Sequence, residues 1–150
     1  MASLADSRVA IEAVDPEIDG GRFPAKAVVG DTVKVEADIF CDGHDVIDAV
    51  VLYRAAGGRR WREAPMRFHD NDRWRGGFEI EKQTPYEFTI LAWRDLFAAW
   101  REEVQKKVAA GQRVSSELTE GERLVAHACD GDRAGAADRK LLDNLQNALA

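Results

Sequence analysis

Asp31-Thr32-Val33-Lys34-Val35-Glu36-Ala37-Asp38-Ile39-Phe40 is the stretch on which the fold turns. Val33, Val35, Ala37 and Ile39 fall on one side of an extended chain; Lys34, Glu36 and Asp38 fall on the other. That is the period-2 signature of a strand buried on one face. The pattern returns in Asn71-Asp72-Arg73-Trp74-Arg75-Gly76-Gly77-Phe78-Glu79-Ile80, where Trp74, Phe78 and Ile80 share a face. Working outward, residues 8–14 alternate as a first strand. Asp15-Pro16 and Asp19-Gly20-Gly21 then make a turn-rich loop, Phe23-Pro24 an extended segment and Gly30-Asp31 a turn. After the connection Asp42-Gly43-His44-Asp45, residues 46–55 form the next strand. Its run Ala49-Val50-Val51-Leu52-Tyr53 is dense enough to predict a central strand buried on both faces. Gly57-Gly58 predicts a hairpin into one strand over residues 60–68, and His69-Asp70-Asn71-Asp72 turns the chain again. Pro85 opens a last strand with Tyr86, Phe88 and Ile90 on one face and Leu91 and Trp93 on the other.

From Arg94 the period changes from two to nearly four. Leu96, Trp100, Val104 and Val108 recur with Arg101, Glu102, Lys106 and Lys107 between them, and Gly111 ends the run. A second helix is predicted over residues 116–129, with Leu118, Leu124, Val125 and Ala128 as its apolar stripe. Thr119-Glu120-Gly121-Glu122 is an alternative capping box that would move its start. After Asp130-Gly131-Asp132 a third helix carries Leu141, Leu142, Leu145 and Leu149. Several short strands followed by short amphipathic helices give an α+β class: an immunoglobulin-like antiparallel β-sandwich over residues 1–94, then a small helical bundle over residues 95–150.

With 150 residues the chain can bury one good core, or one small core with a helical appendage. A net charge of −6 and a pI near 5.1 argue against a nucleic-acid partner, which requires a basic stripe. Arg59, Arg60, Arg62, Arg73 and Arg75 are locally basic but alternate with core residues, as on a solvated sheet face. Residues 1–8 lack an apolar signal region and no apolar run approaches membrane-spanning length, so a cytoplasmic location without membrane contact is expected. Cys41 and Cys129 fit reduced thiols there, and a disulfide between them stays open.

Chemistry-bearing clusters are thin. Asp42, His44 and Asp45, and likewise His69, Asp70 and Asp72, gather acceptors, but neither knot supplies the ligand set of a zinc or hard-cation site. Both sit at turns, where Asp and Asn bond their own backbone. Cys41 with His44 is the nearest nucleophile–base pair, with no orienting third group. His127 lies two residues from Cys129 on one helix, and Gly57-Gly58 is a hairpin, not a phosphate cradle. No catalytic, cofactor or metal residues are therefore assigned. The tryptophans are the functional candidates, because an exposed indole can stack on the apolar face of a sugar ring. Trp74 alternates with Phe78 and Ile80, and Trp100 with Leu96 and Val104, so both read as core. Trp61 is out of phase with Met66 and Phe68 and is the candidate carbohydrate-binding residue.

Several segments resemble the bacterial α-1,4-glucan:maltose-1-phosphate maltosyltransferases, an amylase-type family (glycoside hydrolase family 13). They are, in order, residues 14–24 (Val-Asp-Pro-Glu-Ile-Asp-Gly-Gly-Arg-Phe-Pro), residues 35–45, Trp61-Arg62-Glu63-Ala64-Pro65-Met66, Asn71-Asp72-Arg73-Trp74-Arg75-Gly76, and Ala92-Trp93-Arg94-Asp95 followed by Trp100. The spacing of Trp61, Met66, Trp74, Phe78 and Tyr86 is also similar to sandwich modules that precede amylase-type barrels. The resemblance implies an N-terminal sandwich with an inserted helical bundle, the two helping to form a homodimer. It implies a parent enzyme that transfers maltosyl from maltose 1-phosphate to α-1,4-glucan with retention, using two carboxylates about 5 Å apart. In that family they stand on a (β/α)₈ barrel of roughly 250 residues, which 150 residues cannot hold.

On that resemblance the sandwich resumes after the helices, so a chain ending at Ala150 leaves an open edge or apolar patch and self-associates as a dimer. The leading expectation is a non-catalytic N-terminal dimerisation and acceptor-positioning fragment. The alternatives are a stand-alone α-glucan-binding module acting through Trp61, or an interaction protein with no carbohydrate role.

Overall fold

Alternation in residues 32–41 becomes strand β2 (Thr32–Cys41), with Val35, Ala37 and Ile39 fully buried and Lys34 and Phe40 exposed. A computed structural model describes residues 9–43, 45–130 and 136–149 of the chain. The other strands are β1 (Val9–Asp15), β3 (Ile47–Ala55), β4 (Arg62–Pro65), β5 (Arg67–Asp70), β6 (Arg73–Glu79) and β7 (Tyr86–Arg94). All pairings are antiparallel, and they build two sheets, β1-β2-β6-β5 and β4-β3-β7. The chain divides into two compact units, Met1–Arg94 and Asp95–Ala150.

The inward side chains of the two sheets meet in one core: Val35, Ala37 and Ile39 of β2, Ala49, Val51 and Tyr53 of β3, and Trp74 and Phe78 of β6, with Met66 and Ile80 beside them. Tyr53 and Phe78 stack across it at 4.4 Å between ring centroids and 13° between planes. Such a pair adds about 0.5–1.5 kcal/mol to the burial of its area. Trp74 is buried and its indole Nε1–H donates to Ile39 O at 3.2 Å, so its polar end is satisfied inside the core.

Two predictions in this unit need correction. The single strand expected over residues 60–68 is two strands: β4 pairs with β3, β5 pairs with β6, and the chain changes sheets at buried Met66. Met66 N–H donates to Ala49 O at 2.9 Å, which ties the crossover to β3. Alternation alone could not reveal this, because Met66 and Phe68 keep the same phase while their hydrogen-bond partners change. Second, β3 is central in its sheet but buried on one face only. Ala49, Val51 and Tyr53 face the core, and Val50, Leu52 and Arg54 face outward and stay half-exposed.

The hairpins follow from turn chemistry. Asn71 and Asp72 take φ of 44° and 64°, the doubly left-handed geometry of a two-residue type I′ loop, so that β5 and β6 pair directly. A bulge breaks the β1–β2 register between Glu12 and Asp15, with Ala13 at φ 49°. Arg73 closes it: its Nη1 donates to Ala13 O at 2.9 Å and to Asp38 Oδ1 at 3.1 Å, and its Nε donates to Glu36 Oε2 at 3.1 Å. These bonds hold the Glu36 carboxyl below the ordinary carboxylate range and raise the Arg73 guanidinium, whose largest partner is Asp38. Arg75 adds a bond to Glu36 at 2.8 Å. The outward face of this sheet is thus a lattice of paired charges.

The second unit contains α1 (Leu96–Ala109), α2 (Ser115–Asp130) and α3 (Ala136–Leu149), with α2 packed on both others. Asp95 caps α1 by accepting from Ala98 N–H at 2.8 Å. Gly111 closes the helix at φ 68°, with Gly111 N–H donating to Val108 O and Gln112 N–H to Lys107 O, the paired bonds of a Schellman motif. The alternative start at Thr119 is not used: α2 begins at Ser115, and Thr119 Oγ1–H donates back to Ser115 O within the helix. Trp100 is half-buried; its Nε1–H donates to Glu117 O at 2.6 Å and its ring lies against Gly121. Val125 is 1% exposed, while Leu118 of the expected stripe is 37% exposed.

Candidate functional site

The β3–β4 hairpin carries the aromatic candidate. Gly57 takes φ 78°, Gly58 N–H donates to Ala55 O at 2.9 Å, and Ala56 N–H donates to Pro85 O at 2.8 Å. A side chain at Gly58 would press on Ala55 O at 2.8 Å, so the tight turn needs glycine there. The hairpin delivers Trp61 to the outward side of the sheet, 37% exposed. Beneath it lies Arg54, whose guanidinium carbon is 4.2 Å from the indole centroid. Arg54 is fixed in turn by Glu87 of β7, with Nε and Nη2 each 2.8 Å from Oε2. One indole face of Trp61 thus lies over a cation that Glu87 holds from its edge, a cation–π contact worth about 0.5–1 kcal/mol at an exposed site.

Around this contact is a shallow, open concavity lined by Arg60, Trp61, Arg62 and Glu63. Arg62 Nη1 donates to Glu81 Oε1 at 2.6 Å, which raises the guanidinium further, and its Cζ stands 5.1 Å from the Tyr53 ring. The chemistry offered is an aromatic ring bordered by hydrogen-bond donors. That suits stacking on an uncharged polar ring, with Glu63 as an acceptor at the rim.

The other sequence candidates are dispersed. Trp74 is core, Trp100 belongs to the helical unit, and Trp93 is 37% exposed on the outward face of β7. A second concavity is lined by Ile39, Phe40, Cys41, Gly43, Asp45, Ile47, Phe68, Asp72 and Trp74. In it the Cys41 thiol is free and donates weakly to Asp45 O at 3.9 Å, while Asp45 is ion-paired with Arg94 at 2.7 Å. His44, the base considered for Cys41, lies outside the described residues. Among the described residues no group of three or more His, Cys, Asp or Glu side chains could hold a metal ion. Nor is any described helix long and apolar enough to cross a membrane. In the segment resembling a family motif, residues 14–24, Val14 and Asp15 end β1, with Val14 packed on the core, and the remainder is a largely exposed turn closed by Phe23 N–H donating to Ile18 O and Arg22 N–H to Asp19 O, both at 3.2 Å.

What sequence reasoning missed is Arg54. Its partner Trp61 is seven positions away, and the contact exists only because the β3–β4 register opposes Tyr53 to Arg62. A hairpin of known loop length would have given it.

A family model described as alpha-1,4-glucan:maltose-1-phosphate maltosyltransferase, domain N/S, matches residues 7–150. A maltosyltransferase of that name from Cereibacter sphaeroides is 55% identical over 142 residues, covering 95% of this chain and 23% of the relative. One from Chlorobaculum tepidum is 50% identical over 118 residues (79% and 18%), and one from Myxococcus xanthus 49% identical over 121 residues (78% and 18%). The chain thus spans about a fifth of the length of the curated relatives it matches. A match that runs over residues 7–150, with 55% identity across 95% of the chain to such a relative, leaves one assignment: the chain belongs to the α-1,4-glucan:maltose-1-phosphate maltosyltransferase family, in its domain N/S region.

Proposed function

We propose that this chain is the non-catalytic N-terminal part of an enzyme that transfers maltosyl units from maltose 1-phosphate to α-1,4-glucans. Its work is dimerisation and positioning of the acceptor. The observation that carries this is the match of residues 7–150 to domain N/S, at 55% identity to a relative more than four times its length. A retaining transfer needs two carboxylates about 5 Å apart on a rigid frame. Glu87, Glu81 and Glu36 serve instead as ion-pair partners of Arg54, Arg62, Arg73 and Arg75.

The strand order supports an immunoglobulin-like sandwich over residues 1–94, and the packing of α2 on α1 and α3 supports a small helical bundle over residues 95–150. The parent acts in the cytoplasm as a homodimer. There this module lends a wall to the partner subunit's acceptor groove and holds a glucan end near the donor, an effect of proximity and orientation.

The test compares the 150-residue chain with a protein of the relatives' length, each given maltose 1-phosphate and maltohexaose. Phosphate release by the long protein alone is expected. Release by the short chain, or by neither, overturns the reading.

The Trp61–Arg54 contact favours a second reading, an α-glucan-binding module that grips its ligand unaided. An indole held over a cation with one face open loses little freedom on stacking with a sugar. Saturable shifts at Trp61 in an NMR titration of the isolated chain with maltohexaose would establish it, and none at millimolar ligand would exclude it.

A further inference from the structure

Trp61 and Trp93, each 37% exposed, stand on the same side of one sheet. The register of β4-β3-β7 sets its outward residues in rows. One end carries Arg54 beside Glu87, with the Trp61 indole over the Arg54 guanidinium. The next row is Glu63, Leu52 and Thr89, and the far end sets Asp48 beside Trp93. Between Arg54 and Asp48 strand β3 advances six residues, about 20 Å, and the two tryptophans flank it on opposite sides, so the indoles are about 22 Å apart along the diagonal.

The polar groups between the indoles are acceptors in the main. Among the described residues the Glu63 carboxylate and the Thr89 hydroxyl have no side-chain partner. Asp48 commits Oδ1 to Ala49 N–H at 2.8 Å and keeps Oδ2 for a donor. Glu87 commits Oε2 to Arg54 and keeps Oε1. Carboxylates so placed repel an anionic ligand, and charged residues are depleted from the centres of protein interfaces. A chain of neutral sugar rings meets both features of this face. Its C–H faces lie on the indoles and on Leu52, while its hydroxyls donate to the acceptors between them. One ring cannot touch two indoles about 22 Å apart. A chain of rings can.

We propose that Trp61 and Trp93 are the two ends of one binding site for a neutral α-glucan chain, laid obliquely across the outward side of β4-β3-β7 with Glu63, Thr89 and Asp48 receiving its hydroxyls. The inference rests on the second reading given under Proposed function, in which glucan is gripped at Trp61. It adds Trp93 as a second stacking residue and makes chain length the basis of selection.

The indole N–H signals of the isotope-labelled 150-residue chain, titrated with maltose and with maltodecaose, test it. Maltodecaose is expected to move Trp61 and Trp93 together on one binding curve. Maltose is expected to move Trp61 with a Kd about tenfold weaker, the loss of one stacked ring. Trp93→Ala should weaken maltodecaose about tenfold and leave maltose unchanged, and Trp93→Phe, which keeps a stacking ring, should recover most of that loss. Lys34→Glu, on the outward face of the other sheet, should change neither Kd. A Trp93 signal that stays still while maltodecaose saturates Trp61 overturns this inference alone, as does an equal Kd for the two ligands. A Trp93 signal that responds in the short chain but ignores maltodecaose in a protein of the relatives' length means that the rest of the polypeptide lies on this end of the sheet, and also overturns it. No movement of Trp61 with either ligand sinks the reading beneath.

Discussion

Adding one methyl group at Gly121 is expected to destabilise the helical unit, against the ordinary preference of helices. Gly121 lies inside α2 and is buried. At a free helical site Gly→Ala gains about 1 kcal/mol. Here a Cβ would stand 2.8 Å from Cη2 of Trp100 and nearer still to Cζ2 and Cε2. The indole cannot swing aside freely, because its Nε1–H is bonded to Glu117 O and its ring packs on Phe97 at 5.2 Å. Overpacking of this kind costs about 1–3 kcal/mol, and giving up the indole bond costs about 1 kcal/mol more. Set against the propensity gain, the net loss is about 2 kcal/mol, a fall of about 1–2 M in the urea midpoint for a small unit. Circular dichroism at 222 nm on the 150-residue chain reads it directly. The decisive control is the cycle with Trp100→Leu, in which Gly121→Ala becomes neutral or stabilising and the coupling is about 2 kcal/mol. If Gly121→Ala raises the midpoint equally with and without the indole, the packing account is refuted.

Three further outcomes are expected. Met66→Ala empties the buried crossover between β4 and β5 and should cost about 2–5 kcal/mol, with strand amides losing hydrogen-exchange protection while α1 and α2 keep theirs; uniform loss would contradict the division into two units. Trp61→Ala should abolish any shifts seen with maltohexaose while leaving the thermal midpoint within about 2 °C, and shifts that persist would remove Trp61 from the site. Glu117 accepts from Lys107 Nζ, its largest influence, and from Ser116 Oγ–H, and its carboxyl is held below the ordinary carboxylate range. Because the folded value is the lower one, this stabilisation is full above the unfolded pKa and is lost as pH falls through the folded one. Glu117→Gln should therefore flatten the acid limb of the helical unit's stability profile, scanned by circular dichroism from about pH 5 down to about pH 2; an unchanged limb would contradict it.

The exposure of Trp61 was legible from its phase against buried Met66, although Phe68, in phase with Met66, is itself 60% exposed after the change of sheet; the cation under Trp61 was not legible, since Arg54 and Trp61 meet through a hairpin register. The outward face of β4-β3-β7, a mixture of apolar and polar residues, was legible only in part. Leu91 and Trp93 share a side of β7, but the row Leu91, Val50 and Pro65, and the pairing of Trp93 with Asp48, depend on which strands are neighbours.

Sequence by itself determined whatever is periodic or local. The alternation in β2 and β6, the helical stripe through Trp100 and Val104, the stop at Gly111 and the turn at Asn71-Asp72 are set by side-chain period and backbone conformation within a few residues. Tertiary structure decided whatever depends on partners far along the chain. The change of sheet at Met66, the single buried face of β3, the Arg73 clamp on the β1 bulge and the indole seated on Gly121 are such features. The physical reason is that period fixes which way a side chain points, while only strand pairing and helix packing fix what it meets there.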